Sequence, residues 1–256
     1  MNGYDKDMQR SLSDFESLVL HGISSFQGER SIFGLYHIIQ GKRSSQTIQD
    51  GHIFDLLPLF SLLPRLQKHE LEQVVLHLYE QAFIKEIEKQ VYIPTDEGQK
   101  LALSNVTESF ISTFDGWAMK DIATVFLLRL ALFIQSLSQL ASGNKQFIPN
   151  TKNLAVQAWV NRMFPRVERR DQIRKQLFTE LYNLLKDAKP LEREIFIGKL
   201  SGAHRYGFTN EQLSVMYSIS VLDVELRHTS LIHQLIGKVM AEPSLYPVLV
   251  QFLEQE

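Results

Sequence analysis

The sequence contains no cysteine. That excludes a disulfide framework, a thiolate nucleophile and any zinc site that uses Cys. It also fits a reducing compartment. A bilayer-length apolar run is missing too. The most apolar stretch, residues 122–134 (IATVFLLRLALFI), is shorter than the roughly 20 residues a spanning helix needs, and Arg129 sits in its middle. The start, MNGYDKDMQRSLSDFE, is polar and acidic and lacks the apolar segment of a secretory leader. These absences predict a cytoplasmic protein with no membrane association. Signatures of chemistry are equally sparse. There is no HExxH zinc motif and no Gly-x-Ser-x-Gly elbow. The eight histidines are scattered, and His228 and His233, five apart, are about 140° off-register on a helix turning 100° per residue. Gln40-Gly41-Lys42-Arg43-Ser44 has the ending of a phosphate loop, but its upstream glycine, Gly34, is too far away and the run before it reads as helix. The chain is therefore read as non-enzymatic, with no catalytic residue, no metal site and no cofactor. No heptad seam argues for a coiled coil, so the oligomeric state stays open.

What is present is ordinary globular composition, 44% hydrophobic and 22% charged over 256 residues. Net charge is −2 but unevenly spread. Residues 1–105 hold 10 Lys/Arg and 14 Asp/Glu, 106–189 hold 12 and 7, and 190–256 hold 5 and 8. A whole-chain basic footprint for DNA is absent. Only the middle is basic, most densely at Arg162, Arg166, Arg169, Arg170, Arg174 and Lys175.

Ser13-Asp14-Phe15-Glu16 has capping-box form and opens a helix with Phe15, Leu18 and Val19. Ile32, Leu35, Tyr36 and Ile39 form one face of a second helix, which Gly41 can end in the left-handed conformation. A polar helix follows from Ser44-Ser45, presenting Gln46, Gln49 and Asp50 outward. The segment HELEQVVLHLYEQAF predicts a strong helix with Leu71, Val74, Val75, Leu78 and Tyr79 as its stripe. Residues 83–87 and 91–93 are β-branched or aromatic around Glu88-Lys89-Gln90, which predicts a hairpin. Helix, helix, turn, helix, hairpin is the order of a winged helix. The exit Tyr92, Thr95, Gly98, Leu101 resembles that of many winged-helix wings. A small α+β domain with the same order is the alternative. Residues 28–54 supply the second helix, turn and recognition-position helix in this reading, with Lys42, Arg43, Ser44, Ser45, Gln46 and Gln49 as the contact set.

Residues 109–141 read as the apolar helix of a helical middle domain. A second helix carries Leu154, Val156, Trp159 and Met163, and a long one runs from about Glu168 to Asp187 with Ile173, Leu177, Leu181 and Leu184 inward. The arginine cluster at their junction is either a solvated helix face or a phosphate-contacting patch. Beyond Pro190, two capping signals at Thr209 and Ser220 give the spacing of a helix-turn-helix. This unit resembles the fourth region of bacterial sigma factors. Its recognition-position helix, however, brings one fixed cation, Arg227, beside Asp223 and Glu225, whereas groove readers bring several.

One further resemblance covers most of the chain. ERSIFGLYHIIQGKRSSQTIQDGHIF, the surroundings of Trp159, and the Arg193–Gly202 run REIFIGKLSG are similar to the helicase-adjacent YpbB-type proteins of Firmicutes. The resemblance implies a RecQ-like DNA helicase, DNA, or both as partners. Longer members carry a further helicase-associated helix-turn-helix, expected to begin about where Glu256 lies, and its DNA binding is not carried over.

The expectation is a mainly α protein: an N-terminal winged helix with a small β hairpin (1–104), a helical middle (105–189) and a sigma-like helix-turn-helix (190–256). The expected role is a bacterial DNA-binding or helicase-associated accessory protein in DNA repair and recombination. A protein-interaction adaptor without DNA affinity and a transcriptional regulator are the alternatives.

Overall fold

Phe15, Leu18, Val19, Leu20, Ile23 and Phe26 are buried along one helix, α1 (Asp14–Phe26), and the first part of the chain is built on it. The structure is a computed structural model and describes residues 12–254; the polar start in which no leader is read lies, through residue 11, outside the described residues. It is mainly helical and divides into two units, Met1–Ser112 and Thr113–Glu256.

In the first unit α1 begins with the expected capping box: Ser13 Oγ accepts from the Glu16 amide, and Glu16 accepts from the Ser13 amide. It packs against α2 (Ile32–Gln40), α4 (Lys68–Glu80), α5 (Asp96–Ala102), α6 (Asn105–Ile111) and strand β2 (Val91–Pro94). Gly41 ends α2 with φ 78°, and a Cβ there would meet Ser61 at 2.5 Å, so glycine is required both conformationally and sterically. Helix α3 (Ser45–Ile53) leads into a 3₁₀ turn at Leu57–Leu59 and a chain segment that buries Leu62, Leu63 and Leu66. β1 (Ile84–Glu88) and β2 pair antiparallel, with a register shift between Glu86 and Glu88.

The run Thr95-x-x-Gly98 has a clear physical basis. Thr95 Oγ1 accepts from the Gly98 amide and donates to Ala82 O at 2.7 Å, which pins α5 to the hairpin. A Cβ on Gly98 would lie 1.9 Å from Phe83 O, so no side chain fits. The helix directly before the hairpin is α4, the strong helix read from HELEQVVLHLYEQAF; residues 28–54, read as carrying the recognition-position helix, end in α3, one helix earlier. Tyr79, read as part of the buried stripe of α4, is 51% exposed, because Leu71, Val75 and Leu78 already fill the inward face.

The second unit begins with α7 (Gly116–Met119) and α8 (Ala123–Ala141). Helix α8 runs past the apolar stretch because its later polar residues are satisfied inside the unit. Gln135 accepts from Asn150 N and donates to Ile148 O, and Ser136 donates to Leu132 O. Among the described residues α8 alone is long and apolar enough to cross a membrane by length and composition, yet half of it is buried in this unit. Arg129 is buried too: its guanidinium lies 4.4 Å from the Trp159 ring and donates to Phe252 O and Glu254 O. These are the marks of a core helix.

α9 (Leu154–Met163), α10 (Arg170–Leu185), α11 (Pro190–Lys199), α12 (Asn210–Tyr217) and α13 (Val221–Ala241) complete the unit. One core joins Phe126, Phe133, Trp159, Leu184, Phe196 and Leu235. Because that core takes residues from both sides of residue 190, segments 105–189 and 190–256 are not separate domains. The first boundary shifts as well: α6 packs on α1 and α5, so the first unit runs to Ser112 rather than 104. Glu180 is buried and accepts from the amides of Val248 and Leu249, anchoring the last 3₁₀ turn (Leu249–Leu253).

Candidate functional site

In the first unit, Lys42, Arg43, Ser45 and Gln49 are exposed around the α2–α3 turn. Two residues of the expected contact set are occupied structurally. Ser44 caps α3, accepting from the Thr47 amide at 3.3 Å, with its hydroxyl 2.8 Å from that of Thr47. Gln46 donates to buried Asp50 at 2.8 Å, and Arg30 Nε donates to the same carboxylate oxygen at 2.8 Å. Asp50, read as outward, is the buried acceptor that ties α3 to the α1–α2 turn.

Helix α4 and the hairpin present a different surface. Glu72, Leu76 and Tyr79 fall within about 60° of one another on α4 at 100° per residue, and Leu76 is 56% exposed. With Val75, Tyr92 and Glu86 they line a groove of about 350 Å³. Lys68 is engaged here, 3.7 Å from Glu72 and 4.2 Å from the Phe33 ring centroid. Burial, with Glu86 and Tyr79 nearby, pushes the Tyr92 phenol above its ordinary pKa. Helix α4 thus offers carboxylates and apolar side chains beside the hairpin.

In the second unit the chain leaves α9 through Phe164 and Pro165, makes a 3₁₀ turn at Val167–Arg169 and enters α10. Arg162, Arg166, Arg169, Arg174 and Lys175 are exposed. Arg170 is half-buried: its Nε donates to Pro165 O at 3.2 Å and its guanidinium lies 5.4 Å from the Phe164 ring centroid, so it braces the junction. Arg174 meets Asp171 at 3.0 Å, an exposed pair of small energetic weight. Arg166 and Arg169 rim a pocket of about 400 Å³ over Phe133, Trp159 and Phe252.

Further along α10 are two residues the sequence reading passed over. Phe178 is 70% exposed and Tyr182 60%, and their rings stack at 6.4 Å with 20° between planes. Arg174, Phe178, Tyr182, Lys175 and Lys186 fall within about 120° of the helix circumference and span about 18 Å at 1.5 Å per residue. Beside them Leu137, Leu177, Leu181 and Leu200 line an apolar groove of about 450 Å³. A signal was available in the sequence: Phe178 and Tyr182 are one turn apart, and each is next to a core leucine rather than in the stripe.

Arg227 does not join this surface. It is half-buried, and its charge acts on buried Glu192, whose carboxyl is raised by burial and lowered in turn by Lys189 and Arg227. Every residue of α13 from Val221 to Gly237 is buried or half-buried. The helix therefore has no open face with which to enter a groove, because it is packed into the core through Leu231, Ile232 and Ile236. Two of its histidines are held neutral by burial: His228, against the Phe196 ring, is lowered to about 3, and His233, which accepts from the Asp115 amide at 3.1 Å, to about 4. Among the described residues no three metal-ligating side chains converge.

No family model matches the chain, and no solved structure matches it. Over 206 residues, 80% of its length, it is 30% identical to protein YpbB of Bacillus subtilis (strain 168). The matched region is 58% of that protein, so the chain spans little more than half the length of the curated relative. That similarity, together with the motif at Gly28–Phe54, supports placing the chain with the YpbB-like proteins.

Proposed function

We propose that the chain is a non-enzymatic accessory protein of DNA metabolism that holds single-stranded nucleic acid on the exposed face of α10, in the cytoplasm and beside a RecQ-like DNA helicase. The exposed Phe178–Tyr182 stack between Arg174, Lys175 and Lys186 carries the reading. Stacked aromatic faces accept bases of any sequence, while flanking cations follow the phosphates. Arg162, Arg166 and Arg169 extend the cationic track toward α9. In this reading α2, α3, α4 and the hairpin form a winged-helix arrangement, and α11–α13 a sigma-like helix-turn-helix. Both serve as scaffolds rather than duplex readers. The acidic face of α4 and the burial of α13 support that assignment. The test is fluorescence anisotropy with labelled single-stranded, forked and duplex DNA across a salt series. Preference for single strands with a negative salt slope is expected. Absence of binding at about 50 mM salt, where phosphate contacts are strong, would remove the proposal.

The acidic, apolar α4–hairpin groove favours a second reading, a protein-interaction adaptor with no DNA affinity. It would show partner binding that survives replacement of Phe178, Tyr182 and Lys175.

A further inference from the structure

The α4–hairpin groove and the α10 face carry opposite charges around exposed apolar side chains. The groove is lined by Val75, Leu76, Tyr79 and Tyr92, and carboxylates rim it at Glu72 and Glu86. Leu76 and Tyr79 are more than half exposed, so the apolar surface is open. Its concavity, between a helix and a twisted hairpin, suits one apolar helix edge. The α10 face is such an edge. It projects Phe178 and Tyr182 from a helix whose flanking charges, Arg174, Lys175 and Lys186, are opposite in sign to those of the groove. Charge matching around an apolar centre sets partner choice and orientation.

From this complementarity we infer that the occupant of the groove is α10 of a second copy of the chain. The contact joins two different surfaces. Two chains can satisfy it reciprocally and close as a dimer, or each can use its free half to extend a chain of copies. In either case α10 is covered. Self-association therefore hides Phe178 and Tyr182, and single-stranded nucleic acid competes with the second copy for the same residues. The self-association stands on the two surfaces alone; the competition rests on the proposed nucleic-acid reading.

The experiment is sedimentation velocity of the full chain over a range of concentration. The wild-type protein should associate. E72K/E86K and R174E/K175E should each stay monomeric where the wild type associates, with circular dichroism reporting that both remain folded. Mixing the two variants should restore association, because the reversed groove of one meets the reversed helix of the other while the native pair also forms. Leu76→Gln, which keeps the rim charges, should weaken association at least tenfold. A wild type that is monomeric throughout, or a mixture that stays monomeric, overturns the inference. Anisotropy on the same samples separates the two proposals: DNA binding by a strictly monomeric protein removes the self-association and leaves the function reading, and association without DNA binding does the reverse.

Discussion

Two helices in this protein, α4 in the first unit and α10 in the second, each turn an apolar or aromatic pair outward: Leu76 with Tyr79, and Phe178 with Tyr182. They differ in the sign of the charge around the pair. α4 stands directly before the hairpin, where a winged-helix protein would place its groove reader, and it is flanked by Glu72 and Glu86. α10 has no such topological role and is flanked by Arg169, Arg174, Lys175 and Lys186. The contrast separates architecture from function. Helix order follows from turns, caps and core packing, whereas ligand preference follows from the few residues those turns leave in solvent. A phosphate backbone would meet repulsion at α4 and attraction at α10.

Four measurements would break or sharpen that contrast. The largest effect is expected in the first unit. Gly98→Ala drives a methyl group into Phe83 O and should cost roughly 3 kcal/mol or more, the range of severe backbone and packing defects. A urea melt should show the loss, and a near-neutral result would mean that the hairpin does not hold α5 as closely as described. Next is the α10 stack. Replacing either Phe178 or Tyr182 with alanine should weaken single-stranded DNA binding by about 5- to 150-fold, from roughly 1–3 kcal/mol per stacked base, while Tyr79→Ala does not weaken it. Equal losses from both would erase the distinction between the faces.

The third measurement concerns acid. His228 and His233 are held neutral to about 3 and about 4, whereas an unfolded histidine titrates near 6.5. Below pH 6.5 the unfolded chain takes up protons that the native second unit refuses, so stability falls as pH falls from 6.5 toward 4. A loss on the order of 1–2 kcal/mol per histidine between pH 7 and 5 is expected by denaturant titration. His228→Gln should flatten part of that slope; a slope identical to the wild type would mean that His228 contributes nothing. The smallest effect is the salt slope. Replacing Arg169, Arg174 and Lys175 with alanine should make it shallower by about 2, at roughly 0.7 per phosphate contact on a single strand. Arg170 is left out because it braces Pro165.

Much of the local structure was legible from residue patterns. The boxes at Ser13 and Thr209, the cap at Ser220, the left-handed stop at Gly41 and the hairpin at 84–94 all depend on near neighbours in sequence. The arginine cluster was also visible, since composition alone locates it. Less legible were the partners of single polar groups. Asp50 looks solvent-facing on a polar helix, but Arg30 and Gln46 reach it from one side and the fold buries it. Phe178 and Tyr182 look like two more apolar residues of the buried stripe of an amphipathic helix. Their exposure depends on Leu177, Leu181 and Leu184 having taken the inward face.

The sequence by itself determined the helical class, the caps and turns, and the segregation of charge into an acidic first part and a basic middle, because propensity, capping and net charge are local sums. Only the tertiary structure decided that residues on both sides of position 190 share one core and that α13 is an interior helix rather than a surface one. The physical reason is the same in each case. Burial is assigned by competition among all apolar faces for a limited interior, and the outcome depends on partners far away along the chain.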